Sequence, residues 1–144
     1  MYPDAKFIYL VRNPYAVFES TRSFFRNTLA PIRLQTISDE ELKREILLNY
    51  RALYEHYEAD KLLIPEGHLA EVRFEEFEAH PLETAEAIYQ KLSLGDFGRV
   101  RPAMECYLEG QRGFRKKDYC FDLQTRLTVE RYWGEALRQW DYWP

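Results

Sequence analysis

The stretch Lys6-Phe7-Ile8-Tyr9-Leu10-Val11, followed by Arg12-Asn13-Pro14, decides how the rest of the chain is read. From Lys6 to Val11 the residues are β-prone and unbroken, the mark of a strand covered on both faces, as in a parallel sheet. Asn13 is a favoured N-cap and Pro14 a favoured first helical residue, so a helix is expected from here to about Asn27. Strand, tight turn and helix together form the geometry that presents backbone N–H groups to a phosphate.

Working outward, residues 28–37 contain Pro31 and no periodicity, and read as a loop. Ser38-Asp39-Glu40-Glu41 is a capping box, with Ser first and Glu three residues on. Leu42, Ile46, Tyr50, Leu53 and Tyr57 then line one face of a long helix. Pro65 and Gly67 close that unit, and Leu69 to Phe74 reads as a second strand. His80-Pro81 opens another helix, with Leu82, Ala85, Ile88 or Tyr89, and Leu92 facing inward. A short helix is expected around Pro102 to Leu108, and an irregular basic loop over residues 110–122. The last helix should start near Thr128 and pack Tyr132, Trp133, Ala136, Leu137 and Trp140.

This is an α/β layout with more helix than strand. Two strands make a poor sheet, and a strand apolar on both faces wants a neighbour on each side. Residues 6–11 therefore read as a central strand whose partners lie partly outside this chain. The 144 residues are read as one domain, 1–144, and an incomplete one.

Composition narrows the classes. At 46% hydrophobic and 31% charged the chain has enough apolar surface to fold, which argues against disorder. A net charge of −4 argues against nucleic-acid binding while leaving room for a single anionic ligand in a basic pocket. Cys106 and Cys120 form neither a metal-like pair nor a dense disulfide framework, so a reducing, cytoplasmic setting is expected, with a single bridge between them left open. No apolar run approaches the roughly 20 residues of a membrane span.

The segment Tyr2-Pro3-Asp4-Ala5-Lys6-Phe7-Ile8-Tyr9-Leu10-Val11-Arg12-Asn13-Pro14, continuing to Val17 and Ser20, resembles the 3'-phosphate-binding motif of the sulfotransferase superfamily. There a P-x-A-K-F-I strand runs into Arg-(Asp/Asn)-Pro, with a Ser eight residues after the Arg, the spacing that Arg12 and Ser20 keep. The resemblance implies that Arg12 and Ser20 contact the 3'-phosphate of 3'-phosphoadenosine 5'-phosphosulfate (PAPS), the sulfate donor. The physics agrees: a guanidinium at a helix N-terminus favours a dianion, and Ser20 stands seven residues, nearly two turns, beyond Asn13.

Val72-Arg73-Phe74-Glu75-Glu76-Phe77, with His80-Pro81 after it, is similar to the family's V-R-Y-E-D-L…P segment, which implies that Phe74 packs near the adenine. Where the family often has Tyr, Phe74 carries no hydroxyl; as a residue type it fits a core equally well. Arg115-Lys116 is similar to a late Arg-Lys-Gly loop that the family sets against the same 3'-phosphate. Here Lys117 replaces the glycine, and a basic run is also the ordinary look of a solvated loop. The aromatic tail, through Trp133-Gly134 to Trp140 and Tyr142, looks like the closing helix of bacterial members.

The resemblance thus implies a P-loop-like parallel sheet with flanking helices, and transfer of a sulfuryl group from PAPS to a hydroxyl or amine acceptor. It implies no metal. It also implies two features found mainly upstream in the family: a phosphosulfate-binding loop and a general base. None of the glycines at 67, 95, 98, 110, 113 and 134 precedes a Lys-Ser or Lys-Thr pair, so that loop is not recognisable here. His56, His68 and His80 read as surface or capping residues, and no catalytic residue is assigned. The missing half, or another chain, would complete the sheet. Rival readings are a non-catalytic α/β nucleotide-binding or protein-interaction module and, more weakly, a nucleotide kinase, which would need the same glycine-rich loop. The loop 28–37 and the helix after Ser38 are open to line an acceptor pocket, but nothing in them selects a carbohydrate, a lipid, a peptide or a small phenol.

Overall fold

A computed structural model describes residues 4–28, 30–32, 34–111, 113 and 119–143. In chain order these form β1 (Phe7–Val11), α1 (Pro14–Asn27), α2 (Asp39–Asp60), β2 (Leu69–Arg73), α3 (Phe74–Ala79), α4 (Pro81–Lys91), α5 (Arg101–Gln111) and α6 (Leu123–Gln139). Short 3-10 turns lie at Ala30–Ile32, Lys61–Leu63 and Phe97–Arg99. The architecture is α/β and helix-rich, as the sequence implied. It divides into two compact units, one built on β1, β2, α3, α4 and α5, the other on α1, α2 and α6.

In the sheet unit, β1 and β2 pair in parallel, from Phe7 opposite Leu69 to Val11 opposite Arg73. The Phe7 amide extends the ladder to the His68 carbonyl at 2.7 Å. Lys6 Nζ donates to the Leu92 carbonyl, tying the strand's start to the end of α4. β2 alternates as a half-buried strand should: Ala70 and Val72 point inward and pack on Ile88 and Leu92. β1 does not have the cover its composition asks for. Phe7, Ile8 and Leu10 are 48%, 53% and 51% exposed, and among the described residues β2 is its one neighbour.

The second strand is one residue shorter than expected. It ends at Arg73, and Phe74 is the first residue of α3, where Glu75 and Glu76 in the first turn complement the helix dipole. α4 opens on Pro81 as expected and buries Ala85 and Ile88. α5 extends to Gln111 and buries no residue.

The helical unit has a dense aromatic core. Tyr15 and Phe18 of α1, Leu42, Ile46 and Leu47 of α2, and Val129, Trp133 and Leu137 of α6 form one buried cluster. The Trp133 indole N–H donates to the Leu47 carbonyl at 2.9 Å, and its ring stacks on Tyr50 at 3.9 Å. Ser38 and Glu41 make the reciprocal capping box at the start of α2: Glu41 N donates to Ser38 Oγ at 3.2 Å, and Ser38 N to Glu41 Oε2 at 3.0 Å. The expected inward face of α2 holds for Leu42 and Ile46, but Leu47 takes the place expected of Leu53, which is 70% exposed. α6 starts at Leu123 instead of Thr128 because Asp122 caps it, accepting from Thr125 N at 2.7 Å.

Candidate functional site

The matched segment gives the site its frame. Val11 is the last residue of the sheet unit and Arg12 the first of the helical unit, so Arg12 stands where a strand hands over to α1. Asn13 caps that helix: its Oδ1 accepts from Tyr15 N at 3.0 Å and from Ala16 N at 3.5 Å. Its carbonyl accepts from Val17 N at 3.0 Å, and Pro14 has no N–H to offer. The expectation that the first turn presents free backbone amides to a phosphate therefore needs correction, since Asn13 already occupies them. What remains for an anion is the helix dipole, with no acidic residue in the first turn of α1, and the side chains around it.

Arg12 and Ser20 are both half-buried and belong to the same unit. Ser20 lies six residues past Pro14, about 9 Å along the helix axis, and within about 20° of the direction of Asn13. Its chain neighbour Glu19 is ion-paired with Arg22 at 3.4 Å, so that carboxylate has its charge answered. Arg22 also binds Asp39 at 2.9 Å, and Asp39 collects Lys43 at 3.1 Å and Arg26 at 3.3 Å. The hydrogen bond from Arg22 chiefly, helped by Lys43 and opposed by desolvation, holds the Asp39 carboxyl below its ordinary value.

Tyr15, which the sequence reading did not single out, fixes the start of α1. Its ring is buried at 3% exposure, and its hydroxyl donates to Glu130 Oε1 of α6 at 3.0 Å. Burial first, and then Glu130, push its pKa up to about 12, so the phenol stays protonated and keeps this bond at neutral pH. The available signal was its spacing: Tyr15 and Phe18 stand three apart on one helix face.

The other expected ligand residues stand differently. Phe74 is half-buried at the first position of α3, in the sheet unit. Arg115 and Lys116, with Arg112 and Lys117, lie outside the described residues. His56 and His80 are exposed, and His68 Nδ1 is 3.1 Å from the Ala5 carbonyl, a structural tie. Among the described residues no three His, Cys, Asp or Glu side chains are grouped to hold a metal ion, and no helix is long and apolar enough to cross a membrane.

A strand ending in Arg-Asn-Pro, feeding a capped helix with Ser two turns along, is the part of the chain with the most specific pattern. Residues 1–97 match the model of the Sulfotransferase family, and the chain belongs to that family. It is 28% identical over 142 residues to an omega-hydroxy-beta-dihydromenaquinone-9 sulfotransferase of Mycobacterium bovis, and to the same extent to that of Mycobacterium tuberculosis. Each alignment covers 99% of this chain and 37% of the relative, so the chain spans little more than a third of the length of these curated relatives. No solved structure matches it.

Proposed function

We propose that this chain supplies the 3'-phosphate and adenosine side of the donor site in a PAPS-dependent sulfotransferase acting on a hydroxyl or amine acceptor. Arg12 and Ser20 hold the 3'-phosphate, Phe74 packs near the adenine, and Arg115 and Lys116 add charge from the late loop. When bound, PAPS supplies the sulfuryl group: the acceptor oxygen or nitrogen bonds to sulfur as the sulfur–oxygen bond to the 5'-phosphate breaks, and a base takes the acceptor's proton. The loop for the 5'-phosphosulfate and that base belong to strands and helices beyond these residues, in the same or another chain. On this reading residues 1–144 are part of one P-loop-like domain, and those strands cover the half-exposed face of β1. The relatives' printed name gives them an omega-hydroxylated quinone as acceptor, which agrees with hydroxyl chemistry.

The observation that carries the proposal is Arg12 directly before the capped start of α1 and Ser20 within that helix, in the segment that matches the family. With the first-turn amides used by Asn13, recognition of the phosphate rests on these side chains, and hydrogen bonds to charged groups contribute about 1.5–3 kcal/mol each.

The test is a thermal-shift titration with 3'-phosphoadenosine 5'-phosphate, set against adenosine 5'-monophosphate and against Arg12→Ala. Ligand at about 100 times its dissociation constant should add about 2.7 kcal/mol of stability. Arg12→Ala should weaken binding roughly tenfold to a hundredfold. A folded chain that responds equally to both nucleotides, or that binds unchanged without Arg12, refutes the assignment. Addition of PAPS and a model alcohol then separates transfer from binding alone.

A further inference from the structure

We propose that the groove walled by α1, by Ile32, Leu34, Gln35 and Ile37, and by α2 holds the uncharged aliphatic chain of a lipid-like acceptor. The proposal rests on the transfer reading above and adds the acceptor's chemical class to it. The groove lies wholly within the helical unit and encloses about 920 Å³, near the top of the roughly 300–1,000 Å³ range of small-molecule sites. Its walls carry Phe25, Ile32, Leu34 and Leu53, and Trp133 reaches it from the core. Ile32, Leu34 and Leu53 are 71%, 103% and 70% exposed, so the chain itself leaves them uncovered. Scattered exposed aliphatics mean little, but several converging on one concavity mark a place that something else covers.

The polar content of the lining selects the occupant. Glu45 is the single charged side chain among the described residues that line it, in a chain that is 31% charged. Among the described lining residues no Lys, Arg or His accompanies that carboxylate, which disfavours an anionic head group or a phosphate-rich ligand. The other lining side chains with hydroxyl or amide groups are Thr21, Gln35, Asn49 and Tyr50. An extended polypeptide would bring a row of backbone donors and acceptors to a wall with few partners for them, whereas an alkyl chain brings none. Location supplies the link to the donor segment. Val17 and Thr21 line the groove one turn apart on α1, and Ser20 sits between them in the chain. The acceptor's apolar chain would thus lie along the helix that carries Ser20.

Trp133 makes the proposal testable with a named probe, bromododecanol, whose bromine quenches indole fluorescence on contact. In the intact chain the alcohol should quench saturably, and Trp133→Phe should remove that quenching while Trp140 and Trp143 still emit. Leu53→Glu, at an exposed position that should not disturb folding, should weaken binding about tenfold or more. Bromododecanoate, with its anionic head, should bind more weakly than the alcohol. Absence of saturable quenching, or quenching indifferent to Leu53→Glu, overturns the proposal and points to a groove covered by polypeptide. The nucleotide titration on the same unaltered chain keeps the two readings apart: alcohol binding without a nucleotide response sinks the donor-site assignment and leaves the groove standing.

Discussion

In the unit of α1, α2 and α6, eight side chains close on one another, with Val129 and Leu137 at 0% and Phe18 and Trp133 at 2% exposure. In the sheet unit the buried cluster is Ala70, Val72, Ile88 and Leu92, while three apolar side chains of β1 stand about half exposed. The difference follows from the elements and not from hydrophobicity alone. A helix satisfies its backbone internally, so three amphipathic helices can bury their stripes against one another. A strand needs lateral partners as well as facial ones, and β1 has one paired neighbour among the described residues. The helical unit carries its own core, while β1 keeps apolar side chains at the surface.

The largest expected effect tests that contrast directly. Phe18→Ala should cost about 3–5 kcal/mol of unfolding free energy, because its ring is buried edge-on to Trp133 at 5.8 Å. Ile8→Thr, at a half-exposed position of β1, should stay within about 0.5 kcal/mol in the same urea titration. A loss at Ile8 as large as at Phe18 would break the comparison, and would mean that β1 is covered in solution. Sedimentation of the same samples would then show whether a second copy does the covering.

A smaller effect compares how the two units start their helices. Asn13 caps α1 through two amide contacts, so Asn13→Ala should cost about 1 kcal/mol. His80 occupies the same place before α4, also ahead of a proline, yet makes no side-chain cap bond. His80→Ala should therefore leave the midpoint nearly unchanged. Asn13→Ala also releases the amides of Tyr15 and Ala16. If the 3'-phosphate then binds more tightly, the cap competes with the ligand; if binding is unchanged, side chains alone make the site.

Much of this organisation was legible in the sequence because it rests on local chemistry. Asn13-Pro14 and Ser38 to Glu41 marked two helix starts, and Lys6 to Val11 and Leu69 to Phe74 marked the strands, the second one residue too long. What was not legible depended on alternatives that chain order does not rank. Asp122 won the capping of α6 over the later Thr128, and Leu47 took the buried position expected of Leu53. The occupation of the Asn13 amides needed the side-chain geometry. So did the bond from Tyr15 to Glu130, which joins residues 115 apart in sequence. The groove needed the loop and both helices in place before Ile32, Leu34 and Leu53 could be seen to share a wall.

The smallest expected effect concerns charge, and it too separates the units. Asp39 gathers Arg22, Arg26 and Lys43 on one carboxylate in the helical unit, whereas the sheet unit's ion pairs include Lys61 with Glu71 at 3.4 Å and Arg101 with Glu105 at 3.0 Å and Glu86 at 3.8 Å. The Asp39 side chain is 35% exposed, so solvent screens the network and each pair contributes about 0–1 kcal/mol. Because the folded carboxyl titrates lower than the unfolded one, the unfolded chain takes up this proton first as pH falls. The contribution is present above the unfolded value of about 3.9 and is lost as pH drops through the lower folded value. Asp39→Asn should therefore cost little at neutral pH and make the acid limb of the stability curve shallower, most visibly at low salt. An acid limb unchanged by the substitution would show that Arg22, Arg26 and Lys43 are held by packing along α1 and α2, with the carboxylate adding geometry but no measurable stability.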